Sequence, residues 1–165
     1  HNVLHSHERC DGSGYFQRSC SQITLCAQII NISNFYEALT HPRAWRNSFE
    51  APHVVEMIYK DLRNQFTSLS FKGLISFLGI WPPGSIVRLS TGEIAEVVFT
   101  NREKISRPFV RVIAGPGLKK DESYYIDLAE NSLISIQSYV SLNELEKIDP
   151  ELCMKKKFER LWIDW

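Results

Sequence analysis

The hydrophobic pattern of this 165-residue chain changes at the motif Trp81-Pro82-Pro83-Gly84. Before the motif, apolar residues recur every three or four positions, which is the spacing of helices that bury one face. After it, the apolar runs Ile86 to Leu89 and Ile94 to Phe99 flank the turn residues Thr91-Gly92, a pattern typical of a β-hairpin. The chain is therefore constrained to a helical part followed by a β-rich part.

Three helices are predicted before the motif. The first covers about residues 23–39, and it places Asn34 as an inward-facing polar residue on a buried stripe formed by Ile23, Ala27, Ile30, Asn34 and Ala38. The second begins near Pro52, which a first helical turn tolerates, and the third ends at Gly79. The first 22 residues contain turn dipeptides and show no period, so they predict a helix end that runs into a loop.

Strand-like runs follow the hairpin at residues 109–113, 124–128 and 133–136, and helical spacing returns from residue 142 to the end. These runs predict a small antiparallel meander followed by a C-terminal helix. We therefore expect a mainly α protein in three parts. They are a helical domain over residues 1–79, a small β-rich appendage over 80–140 and a helical tail over 141–165.

Charge and hydropathy exclude several classes of protein. Nineteen basic and nineteen acidic residues cancel, so no overall field attracts DNA or an anionic membrane, and we expect neither as a partner. The run Lys155-Lys156-Lys157 is interpreted as a solvated helix face. No long apolar run or signal-like start is present, which predicts neither a membrane span nor secretion. The four cysteines lack CxxC spacing and are interpreted as reduced thiols of a cytoplasmic protein.

The start of the chain carries side chains of the kind that bind divalent metals, namely His5, His7, Glu8 and Asp11. Neutral imidazole nitrogens and carboxylate oxygens suit the borderline metals used in hydrolysis. Surface histidines are common, however, and Asp11-Gly12 is an ordinary turn. The spacing alone therefore favours a plain loop over a metal site.

Three motifs in order resemble those of the HD-GYP family. Residues 6–15 read Ser-His-Glu-Arg-Cys-Asp-Gly-Ser-Gly-Tyr and resemble the signature His-His-Glu-x-x-Asp-Gly-x-Gly-Tyr-Pro. Residues 29–40 read Ile-Ile-Asn-Ile-Ser-Asn-Phe-Tyr-Glu-Ala-Leu-Thr and resemble the helix Ile-Ile-x-Val-Ala-Asp-x-Phe-Asp-Ala-Leu-Thr. Residues 43–46, Arg-Ala-Trp-Arg, resemble the loop Arg-Pro-Tyr-Arg. The helices and hairpin that follow are similar to the segment that often follows HD-GYP domains.

The resemblance implies the helical bundle of a metal-dependent phosphohydrolase that opens cyclic di-GMP. In the family, two signature histidines and the Asp of the later helix bind metal, and here those positions hold Ser6, His7 and Asn34. A hydroxyl and a neutral amide are weak replacements because they remove charge as well as a bond. We therefore expect His7 as a weak metal ligand, no catalytic residue and no cofactor in this chain. Iron, manganese or another divalent metal is expected only if the family site is intact.

The ligand-facing positions are better preserved. The resemblance assigns Tyr15, Arg43 and Arg46 to contacts with cyclic di-GMP or a related guanine nucleotide. Guanidinium groups bond phosphate and guanine oxygens, and an aromatic ring such as that of Trp45 stacks on a base. The alternative is a solvated basic loop, which the residues alone favour.

The family's His-Asp pair lies upstream of the signature, so we expect this chain to hold only the C-terminal half of the site and to lack sequence before His1. The first hypothesis is a degenerate member that acts in bacterial signalling, binding the nucleotide or a partner protein without efficient hydrolysis. The second is an active phosphodiesterase completed by an upstream half. The third is a structural dimerisation module, with a homodimer as the partner. Activity is left open, and Ser6 and Asn34 favour inactivity.

Overall fold

The computed structural model describes residues 4–42, 48–116 and 122–161. A 3-10 turn at Cys20–Gln22 precedes three helices, α1 (Leu25–Thr40), α2 (Ala51–Lys60) and α3 (Ser68–Leu78). Five strands follow, β1 (Ile86–Leu89), β2 (Ile94–Phe99), β3 (Phe109–Ala114), β4 (Tyr124–Asp127) and β5 (Ile136–Tyr139). The described chain ends with helices α4 (Leu142–Ile148) and α5 (Pro150–Leu161). None of the helices in these ranges is long and apolar enough to cross a membrane.

The prediction of a mainly α helical bundle is wrong. The described residues contain a five-stranded antiparallel sheet in the order β4-β3-β2-β1-β5, besides the helices. Strand β5 pairs with β1, so the last strand returns to the first one, and Val87 is opposite Tyr139. Runs of apolar residues predict single strands. The pairing of β5 with β1 joins residues about fifty positions apart, so no local sequence pattern predicts it. The division into three parts stays a prediction.

The first three helices begin and end where local chemistry favours it. Thr24 and Thr67 are the N-caps of α1 and α3, each accepting a hydrogen bond from a backbone N–H three residues later. Gly79 ends α3 with a φ of 75°, which confirms the predicted end. The three helices share a core in which the buried side chains Ile32, Val54, Ile58 and Phe66 pack against the partly buried Phe71 and Leu74 of α3.

The inward polar residue of α1 is Asn31 and not Asn34, so that prediction is wrong. Asn31 is 4% exposed, whereas Asn34 is exposed. Ile23 and Ala27 of the predicted stripe are buried, but from residue 31 onward the buried side passes through Asn31, Ile32 and the partly buried Phe35. Apolar residues surround much of this helix, so the spacing alone did not decide which stripe is buried.

The two faces of the sheet bury different clusters. One face holds the cluster Val87, Leu89, Ala95, Val97, Val110, Val112 and Leu128. The other face packs against α4 and α5 through the cluster Ile86, Ile94, Val140, Leu145 and Cys153. Alternation along β1, β2 and β3 supplies both faces, because successive side chains point in opposite directions.

A network of three charged residues joins α5 to this second face. The carboxylate of Glu96 on β2 accepts hydrogen bonds from Lys156 Nζ and Arg111 Nη2, both at 2.6 Å. The side chain of Lys156 is 7% exposed and that of Glu96 is 16% exposed. The interpretation of the lysine run as a solvated face is therefore wrong for Lys156, because its side chain turns toward the sheet to meet a carboxylate.

Candidate functional site

The residues that resemble the family signature form a loop anchored on the helices. We define the signature loop as residues 8–20. The backbone N–H of Cys10 donates to the carbonyl of Gln65 at 3.0 Å, and Asn31 Nδ2 donates to the carbonyl of Glu8. These bonds attach the first part of the loop to α1 and to the segment before α3. Asn31 therefore serves as a structural anchor that the sequence motifs did not indicate.

Arg9 adds an aromatic anchor to the same part of the loop. Its guanidinium carbon lies 5.3 Å from the ring centroid of Phe35 and 5.1 Å from that of Phe66. A cation at this distance is attracted to the face of an aromatic ring. Burial lowers the pKa of Arg9, which stays cationic because a free guanidinium loses its proton only far above neutral pH. Arg9 thus fixes the loop against α1 and the turn before α3.

The buried carboxylate of Glu8 holds the far side of the loop. Glu8 Oε1 accepts the backbone N–H of Phe16 at 2.8 Å, and Oε2 accepts that of Arg18 at 2.9 Å. These two bonds lower the pKa of Glu8. The backbone approaches closely here, since a Cβ at Gly14 would lie 2.6 Å from Glu8 Cα, and glycine is required. Glu8 is therefore a clamp on the loop.

We expect Glu8→Gln to loosen this clamp. The amide keeps one oxygen but places an NH2 group against one of the two backbone donors, and it removes the charge that strengthens both bonds. Hydrogen exchange at the amides of Phe16 and Arg18 should speed up by about tenfold or more. Glu130→Gln, at an exposed position in the turn after β4, is the control. Equal exchange in the two variants would contradict the clamp.

Asp11 shapes the turn at the start of the loop. Its Oδ1 accepts the Ser13 hydroxyl at 2.6 Å and the Ser13 backbone N–H at 3.0 Å, and these bonds lower the pKa of Asp11. An Asp that bonds the backbone two residues later forms a common turn. The plain-loop interpretation of Asp11-Gly12 is therefore confirmed.

A disulfide closes residues 10–20 of the loop. Cys10 and Cys20 are bonded, with their Cα atoms 4.3 Å apart. The interpretation of all four cysteines as reduced thiols is wrong for this pair. The turns between residues 11 and 19 bring the ends together, and a spacing of ten residues does not reveal such closure. Cys26 and Cys153, which are also described, are free.

The loop presents the ring of Tyr15 to solvent. Tyr15 is 83% exposed, and its ring meets the edge of the exposed His7 ring with 5.9 Å between centroids. Phe16 is half exposed and contacts the ring of the buried His5. The structure therefore brings two of the predicted site residues, His7 and Tyr15, into contact on an anchored loop.

The described residues do not fit the metal that the family implies. Ser6 is buried, Asn34 is exposed on α1, and both oxygens of Glu8 hold backbone N–H groups. Within residues 4–42, 48–116 and 122–161, no three His, Cys, Asp or Glu side chains lie together where they could hold a metal ion. We therefore assign no chemical step to a metal in this chain. The expected iron or manganese dependence of an intact family site stays a prediction.

Arg43, Trp45 and Arg46 lie outside the described residues. The residues that flank their segment, Pro42 and Ser48, line a cavity of about 610 Å³ between α2 and α4. Further residues of its wall include Phe49, Glu50, His53, Tyr139 and Lys157. The sequence did not predict this cavity, because it depends on the packing of α2 against β5 and α4.

The comparisons with known proteins agree with these motifs. A family described as KOW domain associated with HD domain matches residues 86–148. A cyclic di-GMP phosphodiesterase of Pseudomonas aeruginosa, PA4108, is 30% identical over 110 residues, which cover 66% of this chain and 26% of that protein. Cyclic di-GMP phosphodiesterase PdeB of Borreliella burgdorferi is 26% identical over 149 residues, which cover 88% of this chain and 39% of that protein.

The chain spans about a quarter and two fifths of the lengths of these two relatives. No solved structure matches it. The matched KOW segment begins with β1 and ends with α4, so it covers the sheet, while the signature and α1 carry the HD-GYP motifs. The resemblance stated from the motifs is therefore confirmed, and the chain belongs to an HD-GYP-related family.

Proposed function

We propose that this chain is part of a bacterial signalling protein that binds cyclic di-GMP or a related guanine nucleotide without hydrolysing it efficiently. The observation that carries the proposal is the exposed Tyr15 on a loop that Glu8, Asn31 and Arg9 hold in place. A cytoplasmic location is part of the proposal, because cyclic di-GMP signalling by HD-related proteins acts on an internal nucleotide.

Ligand binding is supported by the presentation of Tyr15. An exposed tyrosine on a mobile loop loses conformational entropy when it binds, whereas an anchored ring loses less. Such a ring offers a face on which a nucleobase stacks. Arg43 and Arg46 add cationic groups that suit phosphate, at positions that match the family loop. The two relatives are named as cyclic di-GMP phosphodiesterases, which supports the choice of nucleotide.

Weak hydrolysis is supported by the chemistry at the ligand positions. Water activation in this kind of hydrolysis needs metal charge. The hydroxyl of Ser6 is buried, the Asn34 side chain is a neutral amide, and the carboxylate of Glu8 already holds two backbone donors. Recognition of phosphate needs only hydrogen-bond donors in place, so a protein can keep it after losing its metal centre.

The test measures binding and turnover in the full chain. We expect calorimetry to detect cyclic di-GMP binding and chromatography to detect no linear product above an enzyme-free control. Tyr15→Ala should weaken binding by about 1 to 3 kcal/mol, the value of one base–aromatic stack. Tyr59→Ala removes another exposed tyrosine, which lies on α2 away from the loop, and is the control.

Three results would overturn the proposal. Absence of affinity at millimolar nucleotide would favour the dimerisation module. Hydrolysis at a typical enzymatic rate would favour the active phosphodiesterase. Equal binding by Tyr15→Ala and Tyr59→Ala would remove Tyr15 from the site.

A further inference from the structure

The disulfide at the base of the signature loop lies where it can control the exposed tyrosine. We propose that Cys10 and Cys20 are a redox modification site, and that thiol–disulfide exchange at this pair sets how rigidly the loop presents Tyr15. The effect of this exchange on ligand affinity rests on the proposed function. The effect of the exchange on loop rigidity is independent of the proposed function.

Both cysteines are held near each other by bonds that do not involve sulfur. The backbone N–H of Cys10 donates to Gln65 at 3.0 Å. Cys20 opens the 3-10 turn before α1, and its carbonyl accepts Gln28 Nε2 at 3.4 Å. After reduction, these anchors keep the two thiols close, so the disulfide can form again within the chain at high effective concentration. The pair is therefore suited to reversible oxidation.

Reduction leaves the middle of the loop with fewer constraints. In the oxidised chain, residues 11–19 are closed at the base by the disulfide and tied across by Glu8. Gln17 adopts a φ of 51°, a left-handed conformation that a non-glycine residue keeps only when its surroundings hold it. Removing the covalent closure enlarges the range of loop conformations, because a cross-link limits the chain between its ends. Tyr15 lies between the disulfide-bonded Cys10 and the Phe16 amide that bonds to Glu8, so its position becomes less defined after reduction.

The exchange needs a dithiol reductant. Its thiolate attacks one sulfur of the pair, which breaks the Cys10–Cys20 bond, forms a mixed disulfide and releases the other cysteine as a thiolate. The second thiol of the reductant then breaks the mixed disulfide. The two cysteines take up two electrons and two protons, and the reductant becomes a disulfide. Disulfides of cytosolic proteins are usually transient or redox-sensing, which is consistent with the proposed location.

The other two cysteines supply matched controls. Cys26 is exposed on α1, and buried Cys153 on α5 donates its thiol hydrogen to the carbonyl of Leu142 at 3.3 Å. Neither is bonded to another cysteine in the structure. Cys26→Ser therefore removes a thiol without touching the loop closure, whereas Cys10→Ser and Cys20→Ser each prevent it.

The first experiment maps the bond in the purified full chain. Trypsin cuts after Arg9, Arg18 and Arg43, so Cys10 falls in peptide 10–18 and Cys20 in peptide 19–43. Peptide 19–43 also contains Cys26, and the Cys26→Ser variant makes the assignment unique. We expect air-oxidised protein to give the two peptides linked and a dithiol to separate them. Four free thiols after controlled oxidation would overturn the proposal.

The second experiment measures the loop and the ligand in both redox states. We expect reduction to speed hydrogen exchange of the amides of residues 11–19 by about tenfold, and to weaken cyclic di-GMP binding by about threefold to tenfold. Cys10→Ser and Cys20→Ser should match the reduced protein without reductant, and Cys26→Ser should match the wild type.

The outcomes separate this inference from the proposed function. Exchange that changes with redox state in a chain that binds no nucleotide would support the redox site and refute nucleotide binding. Nucleotide binding that is equal in both states would refute redox control of the ligand site. Exchange that is the same in oxidised, reduced and Cys10→Ser protein would refute the redox site itself.

Discussion

Replacing Glu96 by alanine is expected to lower the free energy of unfolding by about 3 to 5 kcal/mol, the range found when one member of a buried ion network is removed. The carboxylate contacts Lys156 and Arg111 at 2.6 Å, and the side chain of Lys156 is 7% exposed. Without Glu96, the ammonium that turns toward the sheet loses the carboxylate on which α5 is docked. The loss of charge compensation therefore adds to the loss of two hydrogen bonds.

Urea denaturation checks this value against an exposed ion pair. Glu144 on α4 accepts from Arg88 at 2.8 Å, with the two side chains 47% and 31% exposed. Glu144→Ala should cost about 1 kcal/mol or less, because water screens exposed pairs. Similar losses in the two variants would show that the Glu96 network adds no more than a surface pair.

The network also predicts how stability depends on pH. Burial by itself would raise the pKa of Glu96, but the hydrogen bonds from Lys156 and Arg111 lower it more, and the net pKa is lowered. A lowered folded pKa contributes stability that is present above the unfolded pKa of about 4.3 and is lost as pH falls through the folded value. We expect urea midpoints of the wild type to fall in this acid range more steeply than those of Glu96→Gln. Parallel curves would contradict the assignment.

Local chemistry made several elements predictable. The hairpin around Thr91-Gly92 has the predicted strands, Ile86–Leu89 and Ile94–Phe99, because alternation and a turn residue specify them without help from the rest of the chain. The end of α3 at Gly79 was predictable for the same reason. The predicted tail helix is instead α4 and α5, since Pro150 starts a new helix.

Long-range pairing was not predictable from these patterns. Strand β5 occupies Ile136–Tyr139, a shift of three residues from the predicted run at 133–136, and it pairs with β1. That pairing, together with α4 and α5 on one face, makes the sheet a central element where a small appendage on a helical bundle was expected. The mainly α assignment was wrong because sequence patterns give the order of the elements along the chain but not which strands and helices pack together.

The roles of the signature residues depend on contacts that the motifs do not specify. The motif resemblance selected His7, Tyr15, Arg43 and Arg46, and the structure brings His7 and Tyr15 together. Glu8 and Asp11 are of residue types that can bind a metal, although their spacing alone favoured a plain loop, and both carboxylates accept hydrogen bonds within the loop. Carboxylates serve metals and backbone donors equally well, so their roles depend on where the chain turns.

Replacing Arg43 or Arg46 by alanine is expected to weaken cyclic di-GMP binding by about 1.5 to 3 kcal/mol, the range for hydrogen bonds to charged groups. The backbone N–H of Phe49 donates to the carbonyl of Leu39 at 2.9 Å, so described residues on either side of the two arginines meet beside the end of α1. A guanidinium fork suits recognition of a phosphate or a guanine, because it donates two hydrogen bonds at once.

Lysine variants separate recognition from charge alone. Arg43→Lys and Arg46→Lys keep the positive charge but remove the two-pronged donor geometry, so we expect each to recover only part of the lost affinity. Arg63→Ala removes an exposed arginine between α2 and α3 and is the control, with no expected effect. Full recovery by lysine would indicate general electrostatic attraction, which also predicts a steep loss of binding with added salt. Alanine variants that bind like the Arg63→Ala control would instead favour a solvated basic loop, because neither guanidinium would then contact the nucleotide.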